Sequence, residues 1–496
     1  MSDSPYLSRI EWELCAEPIA LGVVSGSIEG LPPGPQSLTI RRDEQYRLVA
    51  EIGGTTNADA YAAYHQTLRD IVPGTMRADG VDVAAKDLVR TVQIRLSVGG
   101  GANVSLSAKD RATWTWTAER HAYRLHQDHR NRSAIAWHTD WFLNGPQHFV
   151  LDRATEHSSR TTYVRDRRED RRLDLAEPQG ENHRRDHIKV TAGNHTFVFH
   201  LVPEEFGPRW SQNIGIEYAW KSGAVPDAHV REAIGEIFGF AIGRRLMPIG
   251  STTFDAAGHP ITSEAWSPWG DEAQSSCARP DDAPFDIQLA VEGSRRLEDI
   301  LTDLVPKYLA ARDTFAMKDA LWSYWLAKEA PLGLDLPIFS SAVESLKTAW
   351  FRSNKTKVKG IYMAKDKFDS LVADALAKAQ EALKDEPFCE RIIRRMQRCF
   401  QMGANEQLEA FFSELGLKVG QQESAAIKAR NAPAHGGAAA DDEELAKLQR
   451  HSITYRVLFE RVFLKMIGYE GPYIDRATLG FPLRPLDEPI GTEKAM

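Results

Sequence analysis

The spacing of hydrophobic residues changes along the chain, from a period of two in the first part to a helical period in the second. Residues 91–98, TVQIRLSV, alternate between apolar and polar side chains, and 112–117, ATWTWT, alternate in the same way. Residues 46–52 and 195–202 are rich in aromatic and β-branched types. Short segments of this kind, separated by turns containing Gly and Pro, predict the antiparallel strands of a sandwich or barrel-like domain.

Helical patterning dominates after a polar break at 275–284, SSCARPDDAP. The β-rich part before it holds one predicted helix at 226–245, with Pro226 near its start. The segments compatible with helix after the break are 292–329, 337–353, 364–384, 388–402, 405–415, 420–432 and 441–468. In 364–384 the apolar residues Phe368, Leu371, Val372, Ala375, Leu376, Ala379 and Leu383 form one stripe. Helices joined by short loops predict a bundle.

These patterns predict an α+β protein, in which an antiparallel β-rich domain precedes an all-α helical bundle. We expect the β-rich domain to span residues 1–283 and connecting helices to span 284–334. The bundle is expected at 335–475. The remaining residues, 476–496, form a Pro-containing tail that we expect to lie over the surface or to be partly disordered.

Composition excludes some classes of protein. The 496 residues carry a formal net charge of −8, so a protein that is basic throughout and coats nucleic acid is excluded. The four cysteines lack C-x-x-C spacing, and the N-terminus lacks the basic and apolar regions of a secretory signal. No apolar stretch is long enough to span a membrane. A cytoplasmic location without membrane partners is therefore expected.

Several catalytic motifs are absent from the sequence, including the P-loop, H-E-x-x-H and the G-x-S-x-G elbow. Four histidines, His183, His187, His195 and His200, suggest either a metal site or surface histidines on loops and strands. The second interpretation is favoured, because the region looks extended and lacks a pattern of supporting carboxylates. We therefore expect no metal and no cofactor.

The segment 428–437, KARNAPAHGG, contains the residues most suited to catalysis. Its Arg430, Asn431 and His435 form the pattern R-N-x-x-x-H. Arginine can clamp a phosphate with two donors, and histidine can move protons near neutral pH. Pro433 and the following glycines predict that the helix ends here, which would allow Arg430 and His435 to face one pocket. Alternatively, two copies of the chain across a symmetric dimer could complete a shared site. The alternative is a helix C-terminus at which both cations favour the dipole.

This motif at the end of a helix, followed by the long segment 441–468 and by GPYIDRATLGFP, resembles the HEPN superfamily. The order of these features is similar to the ApeA-like branch, found in bacterial anti-phage defence proteins. The likeness covers about residues 335–480. AWHTDWFLNGP at 136–146 more loosely resembles the N-terminal domain that accompanies this branch.

The resemblance implies a metal-independent endoribonuclease that acts as a homodimer. Arg430 would then stabilise the phosphate, Asn431 would be a polar helper and His435 would be the acid and base. The substrate would be RNA, with tRNA one candidate, cleaved by attack of the ribose 2′-hydroxyl. Pro433 is a departure, because the family pattern does not require it. Some HEPN bundles are non-catalytic, so an RNA-binding, nucleotide-binding or dimerisation module is the alternative.

Charge within the chain is uneven. Residues 336–440 contain 16 Lys or Arg and 12 Asp or Glu, a formal +4, so the remaining residues carry −12. One group of cations contains Lys355, Lys357 and Lys359. A second group, Arg391, Arg394, Arg395 and Arg398, falls on one helix face opposite Ile392, Ile393, Met396 and Phe400. Both groups are candidates for binding RNA, and the alternative is a solvated face paired with acids.

The first 280 residues contain none of the catalytic motifs sought above. A nuclease that harms its own cell must be held inactive until it is triggered. We therefore hypothesise that the N-terminal domain restrains the bundle and releases it when a phage protein binds.

Overall fold

The protein combines antiparallel strands with helices in a mixed α+β fold. The computed structural model describes residues 18–28, 36–55, 71–78, 81–89, 95–96, 111–118, 123–127, 135–146, 153–154, 156–158, 162–168, 171–176, 185–202, 207–218, 225–255, 260–266, 268, 276–277, 282–287, 296–354, 360–430 and 441–491. The chain divides into two compact units. One comprises Met1–Ala283 and Ile287–Val305, and the other comprises Pro284–Asp286 and Pro306–Met496. The domain boundaries given above stay predictions.

Most strands lie in the first unit. They are β1 (Ile19–Ile28), β2 (Gln36–Arg42), β3 (Leu48–Thr55), β4 (Ile71–Ala78), β5 (Val81–Val89), β6 (Arg95–Leu96), β7 (Arg111–Ala118), β8 (Tyr123–Gln127), β9 (Ile135–Leu143), β10 (Arg153–Ala154), β11 (Glu156–Ser158), β12 (Thr162–Arg168), β13 (Arg171–Ala176), β14 (Arg185–Ala192), β15 (His195–Leu201), β16 (Ile214–Tyr218), β17 (Met247–Asp255) and β18 (Pro260–Ala265). Two further strands, β19 (Pro472–Ile474) and β20 (Leu483–Pro485), pair with each other in the second unit.

The strands of the first unit pair in antiparallel fashion. Their order in the main sheet is β10-β14-β15-β16-β9-β17-β18-β8-β5-β4-β1-β2-β3-β7-β6, and β11-β12-β13 form a separate sheet. Because β7 also pairs with β5, the strands β5, β4, β1, β2, β3 and β7 form a closed cycle of pairings. The strands predicted at 112–117 and 195–202 are confirmed. The strand predicted at 91–98 is described only at Arg95–Leu96.

The described residues form nine helices. They are α1 (Ala228–Ile242), α2 (Leu297–Ala311), α3 (Met317–Glu329), α4 (Asp335–Ser353), α5 (Lys365–Ala382), α6 (Cys389–Met396), α7 (Ala404–Leu415), α8 (Gln421–Ala429) and α9 (Asp442–Met466). Among them, none is long and apolar enough to cross a membrane.

Helix α1 lies against the sheet of the first unit. It begins where the Asp227 side chain accepts a hydrogen bond from the Val230 amide. Its buried face includes Phe238, whose ring stacks on Phe199 of β15 with centroids 3.8 Å apart. It ends at Gly243, which adopts a left-handed conformation with φ of 73°. The helix predicted at 226–245 is therefore confirmed.

Helix α9 is the centre of the helical unit. Its buried residues contact α3, α4, α7 and α8. Tyr324 of α3 stacks on Phe459 of α9 with ring centroids 4.8 Å apart. Trp350 of α4 contacts Phe411 of α7 edge-on at 6.2 Å. This aromatic packing fixes the helices on which the candidate site residues lie.

The structure gives finer detail for two of the predicted helical segments. The helix-compatible segment 292–329 contains two helices, α2 and α3, which are separated by a turn in which Ala316 has φ of 49°. The prediction of a helix over 388–402 was too long. After Met396 the amides of Arg398 and Cys399 bond the carbonyls three residues earlier, so the chain tightens into turns and the α-helix ends.

Helix α5 has no deeply buried side. Every one of its residues is at least partly exposed. Most of the predicted stripe is half-buried, whereas Leu371 is 65% exposed and Ala375 is also exposed. The amphipathic pattern predicted the helix correctly, but it did not predict how little of that face is covered.

The C-terminal tail is anchored through Asp475, which is fully buried. Its carboxylate accepts hydrogen bonds from the Thr478 hydroxyl at 2.7 Å, Arg484 Nε at 2.8 Å and the Gly491 amide at 3.0 Å. Ile490 near the end of the tail is also fully buried. Residues 475–491 thus lie over the surface with buried anchors at both ends.

Candidate functional site around Arg430

Helix α8 places Arg430 at its C-terminal end. The helix begins at Gly420, whose amide donates to the Glu423 carboxylate at 2.6 Å. It ends at Ala429, and Arg430 follows with φ of −54° and ψ of −29°. The helix therefore ends at the motif, as Pro433 and the glycines predicted. Asn431, Pro433 and His435 lie outside the described residues, so the proposed convergence of Arg430 and His435 stays a prediction.

The Arg430 side chain points into the helical unit and is 7% exposed. Its Nη1 donates to Asn405 Oδ1 and to the Ile427 carbonyl, both at 2.7 Å. Its Nη2 lies 3.9 Å from Oε1 of Glu344. A buried guanidinium stays charged, and these contacts provide the acceptors and the opposite charge that it needs.

The surroundings of Arg430 are polar and come from several helices. Glu344 on α4 forms a second ion pair with Lys347, which is itself buried. Tyr455 on α9 donates to the Ser340 hydroxyl at 3.3 Å. Burial raises the pKa of the Tyr455 phenol, so this residue is neutral at physiological pH. The cluster therefore holds the Arg430 guanidinium in place, and its one described carboxylate, Glu344, is shared with Lys347.

A buried ion pair anchors the other end of α8. Arg461 of α9 bonds Glu423 through Nη1, and both side chains are completely buried. Arg461 also donates to the Leu486 carbonyl from Nε at 3.1 Å and from Nη2 at 2.8 Å. Burial raises the pKa of Glu423, although the charge of Arg461 opposes this shift. The C-terminal tail thereby holds the helix that carries Arg430.

Sequence reasoning missed Glu344, Asn405 and Tyr455. These residues are far from Arg430 in the sequence and carry no motif of their own. One signal was present, because the apolar stripe of α4 is interrupted by Glu344 and Lys347 three residues apart. That spacing indicates an ion pair within α4. It does not indicate that Arg430, at the end of α8, packs against the same pair.

The four arginines predicted as one face are all exposed. Arg391, Arg394 and Arg395 lie on α6, and Arg398 follows in the turn after it. Ile393 on the opposite side is buried, whereas Ile392 is 40% exposed and so does not belong to the core side. The lysines of the other cationic group, Lys355, Lys357 and Lys359, lie outside the described residues.

The histidines at 183–200 lie along a strand pair where they are described. His187 of β14 pairs directly with His200 of β15, and His195 begins that strand. The interpretation as surface histidines was wrong for His200, which is 1% exposed because it lies on the packed side of the strand. His183 lies outside the described residues. Within the described part of the chain, no three His, Cys, Asp or Glu side chains come together as a metal site would require.

A second buried polar cluster lies in the β-rich unit. His138 Nε2 is 2.9 Å from Asp140 Oδ1, and His138 Nδ1 is 2.8 Å from Thr253 Oγ1. Arg231 of α1 donates to Asp140 Oδ2 at 3.2 Å. Burial would raise the pKa of Asp140, but His138 and Arg231 outweigh this effect and lower it. The cluster joins α1 to β9 and β17.

Comparison with known proteins found no matching family model, no similar curated protein and no similar solved structure.

Proposed function

We propose that the chain is a metal-independent HEPN-type endoribonuclease of the ApeA-like branch, with its active site at Arg430, Asn431 and His435. The observation that supports this proposal most is the fixed guanidinium of Arg430 immediately before the other two motif residues. An arginine held by contacts from α4, α7 and α8 at the end of α8 is suited to bind a phosphate.

The proposed reaction is transesterification within RNA. His435 takes the proton from a ribose 2′-hydroxyl, and the 2′-oxygen attacks the adjacent phosphorus. Arg430 stabilises the charge that accumulates on the phosphorane oxygens. The bond to the 5′-oxygen breaks, and protonated His435 returns its proton to that oxygen. The products are a 2′,3′-cyclic phosphate and a 5′-hydroxyl, and tRNA is one candidate substrate.

The biological part of the proposal is abortive infection. A homodimer acting in the cytoplasm would be held inactive by the N-terminal β-rich part and released by a phage protein. What supports this is the size of a unit whose sequence lacks catalytic motifs.

The second candidate function is a non-catalytic HEPN module that binds RNA or a nucleotide, or that dimerises. The observation that favours it is that Arg430 is almost wholly buried and already bonded to protein acceptors. In this environment the guanidinium can have a purely structural role, which is to hold α4, α7 and α8 together.

Separate Arg430→Ala and His435→Ala variants distinguish the two functions. For the enzyme, each variant loses cleavage of total cellular RNA and no longer arrests growth, while its circular dichroism stays that of the wild type. Cleavage in the presence of EDTA, with cyclic phosphate ends on the products, is also expected.

Two residues of the described bundle provide matched controls. His451 is a half-buried histidine on α9, and Arg450 beside it is exposed. His451→Ala and Arg450→Ala should both retain cleavage. If cleavage survives Arg430→Ala and His435→Ala, the motif is not an active site. If the wild-type chain itself cleaves no RNA but binds RNA or dimerises, the second function gains support.

A further inference from the structure

The exposed arginines of α6 and of the turn after it form a cationic surface. We call it the arginine face and define it as Arg391, Arg394, Arg395 and Arg398. Their spacing of three and four residues places them on the side opposite the buried Ile393. In the turn that follows Met396, the Arg398 amide bonds the Arg395 carbonyl, and the Arg398 side chain is also exposed.

The charge of this face is poorly neutralised. Among the described ion pairs, Arg394 lies 3.6 Å from Glu390, and both side chains are more than 70% exposed. Such an exposed pair contributes little and leaves most of the positive charge in place. Neighbouring arginines on one face repel each other, so an anion bound there would relieve an unfavourable interaction.

Exposed aromatic rings lie at both ends of the arginine face. Phe388 precedes α6 and is 60% exposed, and Arg391 lies over its ring at 5.8 Å. Tyr362 is 53% exposed, its amide donates to the Phe400 carbonyl two residues beyond Arg398, and its hydroxyl is hydrogen-bonded to the Glu406 carboxylate of α7. Both rings are exposed enough for a bound base to stack on them.

We propose that the arginine face with Phe388 and Tyr362 is a binding surface for single-stranded RNA, separate from the reaction centre at Arg430. This proposal rests on the proposed function and adds a surface that captures the RNA substrate before cleavage. The guanidinium groups contact successive phosphates, and unpaired bases stack on the two rings.

Two features favour RNA over an acidic protein segment as the occupant. All four cations are arginines, whose planar donors match phosphate oxygens, and bound bases can stack on both arginine and aromatic rings. Single strands expose their bases to such rings, whereas a duplex hides them. A segment rich in Asp and Glu would leave Phe388 and Tyr362 without stacking partners.

The test measures binding separately from cleavage. The full-length chain carries His435→Ala throughout, and the probe is a labelled single-stranded RNA of about 16 nucleotides, the upper site size of a single-strand binding fold. Anisotropy titrations are made at salt concentrations from about 50 to 200 mM. A duplex of the same sequence and a poly-glutamate peptide serve as competitors.

Replacing all four arginines by alanine should reduce the slope of log Kd against log salt by about 3, since each single-strand phosphate contact contributes about 0.7. Phe388→Ala should weaken binding by roughly 5- to 100-fold at every salt concentration, and Phe388→Trp should restore it. The exposed residues Lys447 and Arg450 on α9 supply the control, because Lys447→Ala/Arg450→Ala should leave the slope unchanged.

An unchanged slope in the four-arginine variant overturns the proposal. So does competition by poly-glutamate that equals competition by unlabelled RNA, which would indicate a surface for acidic proteins. The proposed function fails differently, because its failure appears as RNA cleavage that persists in the His435→Ala chain. Binding at the arginine face is measured whichever result the cleavage assay gives.

Discussion

At the scale of single residues, the position of Arg430 depends on a small number of strong contacts. Its guanidinium is 7% exposed and remains charged, so the free energy of burial must be offset locally. Asn405 and the Ile427 carbonyl satisfy Nη1, while Glu344 supplies the opposite charge. Removing one of these partners should therefore move the guanidinium before it affects the rest of the helical unit.

Glu344→Gln should lower the rate of RNA cleavage by about 10- to 100-fold, because a shift of the phosphate-binding group by about 1 Å is costly. The amide keeps the shape of the side chain but removes the charge that faces Arg430. Single-turnover cleavage of a labelled RNA measures the change. The affinity for RNA should stay close to that of the wild type, since the arginine face is untouched.

Lys347→Ala is the matched control for Glu344→Gln. Lys347 shares the Glu344 carboxylate but is not a partner of Arg430 in the described contacts. Cleavage by this variant should therefore remain near the wild-type rate. Equal losses in the two variants would mean that the whole of α4 was disturbed, and the specific role of Glu344 would be wrong.

The sequence singles out Arg430 as a candidate site residue, which stays a prediction, but it does not indicate the environment in which the structure places Arg430. The motif is local, and the end of α8 follows from Pro433 and the glycines. The contacts with Glu344 and Asn405 instead depend on how α4, α7 and α8 pack. Hydrophobic periodicity indicates which face of a helix is buried, but it does not indicate which polar residue of another helix is opposite.

At the scale of elements, two glycines with positive φ allow the cost of backbone strain to be measured apart from the cost of a steric clash. Gly193 lies in the turn between β14 and β15 with φ of 58°, and an added Cβ would meet nothing within 4 Å. Gly243 ends α1 with φ of 73°, and its Cβ would lie 2.2 Å from the backbone of Asp282. Both belong to the first unit.

Gly193→Ala should therefore destabilise the protein by about 1 to 2 kcal/mol, the cost of a left-handed L residue. Gly243→Ala should cost more, because backbone must also move. Thermal unfolding followed by circular dichroism measures both. Equal shifts in Tm would show that the approach of Asp282 to α1 does not constrain this helix end.

Helix α9 carries an acid whose titration should affect stability. Glu460 is fully buried, and its carboxylate accepts a hydrogen bond from the Tyr324 hydroxyl at 2.7 Å. Burial raises its pKa above the ordinary value of 4.5, although Arg456 opposes the shift. The folded chain thus binds this proton more tightly than the unfolded chain, and the contribution of Glu460 to stability falls as pH rises above about 4.5.

Glu460→Gln should remove that dependence while keeping an acceptor for Tyr324. The Tm of the variant minus that of the wild type should become more positive from about pH 4.5 towards pH 8. The corresponding change in the free energy of unfolding is roughly 1.4 kcal/mol for each unit by which folding raises the pKa of Glu460. The exposed Glu443 near the start of α9 offers a control, and Glu443→Gln should show no such trend. A constant difference across pH for Glu460→Gln would contradict the raised pKa.

Element prediction from the sequence was accurate for the presence of helices and weaker for their ends. The pattern of 388–402 is amphipathic throughout, yet α6 ends at Met396. The reason is tertiary, because Gly360–Tyr362 pairs with Phe400–Met402 and draws the chain out of the helix. A pairing between distant segments leaves no periodic signal in either of them.

At the scale of the whole molecule, the sum of charges conceals an uneven distribution. The net charge of −8 combines a formal +4 over 336–440 with −12 elsewhere. An acidic total is therefore compatible with RNA as a substrate, because phosphates respond to the local field of the arginine face.

Removal of the first 283 residues tests that restraint. A chain starting at Pro284 retains the whole of helices α2 to α9, and it should cleave RNA faster and arrest growth more strongly at equal expression. The same truncation carrying His435→Ala is the control, since growth arrest must disappear with the proposed acid and base. Circular dichroism establishes that the truncated chain is helical. A helical truncated chain that cleaves RNA at the full-length rate, without added toxicity, would mean that the β-rich part serves binding rather than inhibition.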